Sequence, residues 1–144
     1  MQGRRELLEI ILSAGVDVLN HNVETVPRLY KKVRPIAIYE QSLKLLGWVK
    51  QISPKTLSKS GIMVGLGESA EEVTSLMDDM RAHDVDIMTI GQYLRPSEQQ
   101  LPIKEWVTPE QFDQYKKIGL EKGFRYVESG PLVRSSYHAW KHCQ

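Results

Sequence analysis

Polar side chains gather at three places where a short apolar run ends. The first is Asn20-His21-Asn22-Val23-Glu24-Thr25-Val26-Pro27-Arg28. Asn20, Asn22 and Glu24 are spaced by two, so in an extended chain they share one face. Two amides and a carboxylate on one face can hydrogen-bond a polar ligand, and the carboxylate suits a ribose diol. The same residues also fit an ordinary polar loop in which the asparagines form turns. The second place is Gly61-Ile62-Met63-Val64-Gly65-Leu66-Gly67-Glu68. A glycine at a strand end, such as Gly65, lets a flat ligand approach the backbone. A helix starting just after it would offer free N–H groups and the positive end of its dipole. The glycines do not match the dinucleotide fingerprint, and a glycine in such a turn can be purely geometric. Lys59, entering this run, could pair with a ligand carboxylate or lie on the surface. The third place holds Gln92, Tyr93 and Arg95. Polar clusters at three successive run ends favour a shared site over three unrelated loops.

The tail, Ser129-Gly130-Pro131-Leu132-Val133-Arg134-Ser135-Ser136-Tyr137-His138, reads on its own as a turn followed by a helix N-cap. His138 and His142 share a helical spacing and Cys143 follows, but no fourth ligand is evident and no metal site is expected there. His83 is expected at the exposed end of a helix. No serine or cysteine triad and no Walker loop can be picked out. Trp48, Trp106 and Trp140 are scattered rather than grouped as a stacking platform.

The elements that must position these clusters alternate. Residues 4–14 predict a helix with Leu8, Ile11 and Leu12 on one face and Gly15 at its C-cap. Residues 16–20 predict a strand, and 26–33 a loop with a short helix. A longer helix over 39–52 places Leu45, Trp48 and Ile52 at helical spacing before Pro54. Residues 62–64 predict the next strand, and Gly65-Leu66-Gly67 a tight turn. Ser69-Ala70-Glu71-Glu72 is a capping box opening a helix that buries Val73, Leu76, Met77 and Met80. A strand over 87–90, a polar loop over 92–107 and a second capping box at Thr108-Pro109-Glu110-Gln111 follow. The last helix ends at Gly123, before a strand over 124–127. This alternation predicts an α/β fold with a parallel sheet and outer helices. The visible strands are too few to close a barrel, so a half-barrel is expected.

Composition narrows the function classes. The chain has 144 residues, 41% hydrophobic and 26% charged, with 19 Lys+Arg against 18 Asp+Glu, a net charge of +1. That length holds one domain. The balanced charge argues against a nucleic-acid partner. No apolar run can span a membrane, and residues 1–6 lack the core of a signal peptide; a cytoplasmic location is expected. The single cysteine, Cys143, excludes a disulfide framework and any site that needs three thiolates from this chain.

Four motifs taken together identify a family. Residues 20–26, Ser60-Gly61-Ile62-Met63-Val64-Gly65-Leu66-Gly67-Glu68, Gly91-Gln92-Tyr93-Leu94-Arg95-Pro96 and Gly130-Pro131-Leu132-Val133-Arg134-Ser135-Ser136-Tyr137 closely resemble lipoyl synthase, in order and over nearly the whole chain. The resemblance implies the C-terminal half of a radical S-adenosylmethionine (βα) barrel over residues 1–128 and a tail carrying the Arg-Ser-Ser-Tyr motif over 129–144. It implies insertion of two sulfur atoms, at C6 and C8 of an octanoyl chain on a lipoyl-domain or H-protein lysine. It also implies S-adenosylmethionine and two [4Fe-4S] clusters as cofactors, the auxiliary cluster being consumed as sulfur donor. Asn20, Asn22, Glu24 and Gly65 fall where such enzymes contact the cofactor, with Arg28 and Lys59 as carboxylate partners. The auxiliary cluster's serine ligand maps to Ser135, or alternatively Ser136, supported by Arg134.

The sequence departs from that pattern in one respect. Both cysteine triplets of the family, C-x3-C-x2-C and C-x4-C-x5-C, are missing from it, and Cys143 matches no family role. The chain by itself is therefore expected to be inactive, with its cysteine motifs supplied by an N-terminal half or a split partner. Alternatively it is a non-catalytic half-barrel that binds a nucleoside or a lipoyl domain, or a truncated product. An open sheet edge and uncovered apolar residues, including Ile62, Val64 and Ile90, are expected to follow from the half-barrel.

Overall fold

A computed structural model of the protein describes residues 2–35 and 37–133. Helix α1 (Gln2–Ser13) leads to β1 (Val18–Asn20), a 3-10 turn (Pro27–Leu29), and α2 (Tyr30–Val33). Helix α3 (Tyr39–Ile52), β2 (Leu57–Val64), α4 (Ala70–Ala82), β3 (Ile87–Gln92), α5 (Pro109–Lys122) and β4 (Tyr126–Gly130) follow. The strands form one parallel four-stranded sheet in the order β1-β2-β3-β4. The fold is thus α/β with chain-order parallel strands, as a portion of a (βα) barrel requires.

The starts and stops follow from sequence. Ser69 and Glu72 form the reciprocal capping box of α4. Thr108 caps α5 by accepting from the Gln111 N–H, and Gly123 ends it in the left-handed conformation. Gly65 and Gly67 both have positive φ, 98° and 110°, which makes the turn after β2 tight.

Three expectations need correction. The strand predicted over 62–64 begins at Leu57, because its polar first half is satisfied inside the protein. The Ser58 N–H donates to the Asp86 carboxylate (2.9 Å), the Ser58 hydroxyl donates to Asp84 O (3.1 Å), and Ser60 Oγ accepts from the Val23 N–H (3.1 Å). Lys59 therefore lies within the strand, 1% exposed, and not at its entrance. Ile62, Val64 and Ile90 are not uncovered, at 4%, 0% and 0% exposure. Side chains alternate across a strand, and these three take the helix-covered face, in one core with Val73, Leu76, Met77 and Phe112. Gly61, Met63, Thr89 and Gly91 line the cavity on the other side of the sheet. Finally, Ile11 does not join Leu8 and Leu12 in the core. Those two pack with Trp48 and Val49, while Ile11, Leu7 and Ile10 are exposed.

Candidate functional site at the strand ends

A cavity of about 290 Å³ opens at the carboxyl ends of the strands, bounded by Asn22, Glu24, Gly61, Thr89 and Gly91. Its first wall is the segment leaving β1, which is held at nearly every backbone group. The His21 N–H donates to Lys59 O (2.9 Å) and the Glu24 N–H to Gly61 O (3.0 Å), while Glu24 O accepts from the Met63 N–H (2.9 Å). Arg34 Nη1 donates to Asn22 O (3.1 Å), and the Tyr30 hydroxyl donates to Val23 O. Within this clamp Glu24 has φ 82°, a left-handed conformation that L residues with long side chains seldom adopt. Such a conformation persists only where the surroundings over-determine it, and these bonds do so.

The floor is built from an absent side chain. A Cβ on Gly61 would sit 2.2 Å from Thr89 Oγ1 and 3.2 Å from Asn22 Oδ1, so only glycine leaves this space open. Asn22 Oδ1 is itself buried without a hydrogen-bond partner. A buried acceptor left unpaired costs free energy that a ligand donor would recover. Asn22 and Glu24 both border the cavity, so its wall carries an unpaired amide oxygen and a carboxylate, an acceptor set suited to hydroxyl and amino groups.

The other candidates take different places. Asn20 lies at a second cavity of about 360 Å³, with Leu7, Ile11, Ile38 and Arg34 along its wall. Arg28 is turned to Glu72: Nε donates to Oε2 (3.0 Å) and Nη2 to Oε1 (2.9 Å), and Nη2 also reaches Gly67 O (2.7 Å). That hydrogen bond is the main cause holding the Glu72 carboxyl below its ordinary range. Lys59 is buried on β2 in register with Asn20. The side of Gly65 where a ligand would approach is filled, since a Cβ there would meet Gln92 Nε2 at 2.3 Å and Glu105 O at 2.5 Å. The Glu68 carboxylate accepts from the Gly65 and Leu66 N–H groups and fixes the turn (3.0 to 3.1 Å).

Gln92 borders the first cavity, and with Tyr93 and Arg95 it braces the long loop before α5. Gln92 Nε2 donates to Glu105 O (3.0 Å) and its Oε1 accepts from the Val107 N–H (2.9 Å). The Tyr93 hydroxyl donates to Leu101 O (2.6 Å), and Arg95 Nε to Gln100 O (3.0 Å). Arg134, Ser135, Ser136, His138, His142 and Cys143 lie outside the described residues. Sequence reasoning did not single out Thr89, Gly91 or Val133 as cavity residues, nor Tyr30 and Arg34 as the clamp. Thr89 and Gly91 were findable, because alternate positions of β3 must face one side.

Comparison with known proteins agrees with this geometry. Residues 2–80 match the Radical SAM superfamily. The chain belongs to that superfamily. Its similarity extends to lipoyl synthases of Caldanaerobacter subterraneus (59% identical over 95% of this chain and 48% of the relative) and Rubrobacter xylanophilus (56%, 96% and 43%). The lipoyl synthase of Flavobacterium psychrophilum is 56% identical over 98% of the chain and 48% of the relative. This radical SAM chain spans a little under half the length of the relatives it matches. The lipoyl synthase resemblance read from four motifs is thereby supported along nearly the whole chain.

Proposed function

We propose that this chain is the C-terminal portion of a lipoyl synthase, and that its cavity holds S-adenosylmethionine during sulfur insertion at C6 and C8 of a protein-bound octanoyl group. The observation that carries the reading is the unpaired, buried Asn22 Oδ1 next to the empty Cβ position of Gly61, in a cavity that Glu24 also borders. Those residues fit a nucleoside with a cationic amino group: Glu24 accepts from ribose hydroxyls or an ammonium, and Asn22 accepts from an N–H or O–H. When bound, S-adenosylmethionine supplies the hydrogen-abstracting radical. This chain's residues bind and orient it. Gly61 and Thr89 shape the floor, and the clamp by Tyr30, Arg34 and Ser60 holds Asn22 and Glu24 at the cavity wall.

The two [4Fe-4S] clusters do not fit the residues present. Each needs three thiolates, and the 144 residues hold one cysteine. Among the described residues no group of His, Cys, Asp and Glu could hold a metal ion. The preceding half of the enzyme, or a split partner, supplies both cysteine triplets in this reading. Ser135, with Ser136 as the alternative, then meets the auxiliary cluster and Arg134 supports it. The substrate is an octanoylated lipoyl domain or H protein, and the setting is cytoplasmic.

The test joins this chain to the preceding half of a family enzyme that carries both triplets. The joined protein should form lipoyl groups on an octanoylated domain, and Ser135→Ala should stop that product while S-adenosylmethionine cleavage continues. The 144-residue chain alone, reconstituted anaerobically with iron and sulfide, should show no stable cluster spectrum. A joined protein that folds, assembles both clusters and forms no lipoyl group sinks the reading. A second reading, a non-catalytic nucleoside-binding half-barrel, draws on the fact that Asn22, Glu24, Gly61 and Thr89 all border one cavity of this chain. Binding of S-adenosylmethionine by the chain, with a joined protein that assembles both clusters and forms no product, would favour it.

A further inference from the structure

We infer that Gly91 is a positioning residue that seats the turn after β4, residues 131–133, against the cavity. Its missing side chain lets the backbone of Val133 lie directly on β3. This deepens the lipoyl synthase reading above, because Arg134 and Ser135 follow Val133 immediately in the chain.

The path of the tail supports the inference. Strand β4 ends at Gly130, which is in register with Gly91 on β3. The chain then turns, and the Val133 N–H donates back to Gly130 O (3.2 Å). This brings Val133 over the neighbouring strand, where it is 9% exposed and borders the same cavity as Asn22, Glu24 and Thr89. The closest approach is at Gly91. A Cβ built there would lie 2.3 Å from Val133 O and 3.3 Å from its carbonyl carbon. Both atoms are backbone, so no rotamer change can relieve the overlap, and any side chain at 91 must lift the tail. Gly91 has an ordinary φ, so the requirement is for space rather than for an unusual conformation.

The register partner provides an internal contrast. A Cβ on Gly130 meets Val133 Cγ2 at 3.6 Å, an ordinary van der Waals contact. Alanine is therefore tolerated at 130 and not at 91, although the two residues pair across the same layer of the sheet. The anchor below is independent of the tail, since the Ser129 hydroxyl donates to Phe112 O (2.8 Å) and ties β4 to α5. Lifting the tail at 91 need not undo the sheet.

The test compares the 144-residue chain with its Gly91→Ala and Gly130→Ala variants by amide hydrogen exchange. For Gly91→Ala, exchange at the Val133 amide, which donates to Gly130 O, should rise by roughly tenfold or more, while the β2 and β3 amides stay protected. Gly130→Ala should behave as the unaltered chain. Unchanged protection of the Val133 amide in Gly91→Ala overturns the inference. So does loss of protection throughout β2 and β3, which would make Gly91 a core-packing residue only. In the joined enzyme, Gly91→Ala should lower lipoyl formation more than S-adenosylmethionine cleavage; equal loss of both would also overturn the positioning role. Release of this turn is read without cofactor or cluster, so it stands or falls separately from the lipoyl synthase reading, which Ser135→Ala tests.

Discussion

Glu24 combines two demands that pull against each other. Its backbone is left-handed, φ 82°, and its side chain borders the cavity. A left-handed non-glycine residue costs about 1–2 kcal/mol, part of which glycine would give back in chain entropy. Glu24→Gly should therefore leave stability unchanged or raise it by up to about 1 kcal/mol, read from urea unfolding, while abolishing S-adenosylmethionine binding in calorimetry. Glu24→Gln, which keeps the shape and loses the charge, should bind more weakly without a stability change. If Glu24→Gly unfolds more easily and binds normally, the residue is structural and the cavity is not the cofactor site. Of the residues picked from sequence, Asn22, Glu24 and Gln92 border this cavity, and Asn20, Arg28, Lys59 and Gly65 do not. A spacing of two places residues on one face only while the chain stays extended, and the left-handed turn at Glu24 ends that regularity. Arg28 shows a second limit, because its carboxylate partner, Glu72, is distant in sequence and no local pattern reveals it.

At the scale of elements, local chemistry was most legible where it is self-contained. The capping box at Ser69 and the proline-led start at Thr108 are readable because every participant lies within a few residues. Ser69→Ala should cost about 1 kcal/mol of unfolding free energy, since the Glu72 N–H loses its acceptor at a helix start; no loss on urea unfolding would mean that Arg28 and Glu72 hold α4 unaided. The first half of β2 was not legible, because a Leu-Ser-Lys-Ser-Gly run resembles a loop until the Asp84, Asp86 and Val23 partners arrive from other elements. Tyrosines tie three elements together and set a pH limit. Tyr39 donates to Asp79 (2.7 Å) across α3 and α4, and burial raises its hydroxyl pKa well above the ordinary 10. Burial also raises Tyr30, and pushes Tyr115 up to about 12. Each is neutral in the fold, so its contribution is complete below pH 10 and declines as pH rises through the interval up to the folded value. Stability should thus fall steeply above pH 10, with tyrosinate absorbance at about 295 nm appearing together with unfolding. Tyrosinate formation at pH 10 in a folded chain would show that these hydroxyls are not protected.

For the whole molecule, the decisive feature is that the sheet has two ends. Strand β1 pairs only with β2, and β4 only with β3, among the described residues. Leu7, Ile11 and Ile38, which line the second cavity together with Leu19 and Asn20 of β1, are 58%, 40% and 50% exposed. The carbonyl and N–H groups of an edge strand are a template for another strand, and exposed apolar side chains beside it add a driving force for burial. In a closed barrel a further strand would pair with β1 and cover this groove. Ile62, Val64 and Ile90, which the sequence suggests are uncovered, pack in the core with residues of α4 and α5, so the force for association must come from the β1 side. The 144-residue chain should therefore elute as dimers or larger species in size-exclusion chromatography with light scattering, at concentrations where a closed barrel is monomeric. Placing lysine at Leu7 and Ile38, both exposed, should shift it toward monomer without lowering its unfolding temperature, because neither residue belongs to a core cluster. Addition of the preceding barrel half should have the same effect while also protecting the β1 amides from exchange. A monodisperse, cooperatively unfolding monomer of the unaltered chain would mean that α1 and the segment around Ile38 already close the edge, and that the half-barrel stands alone.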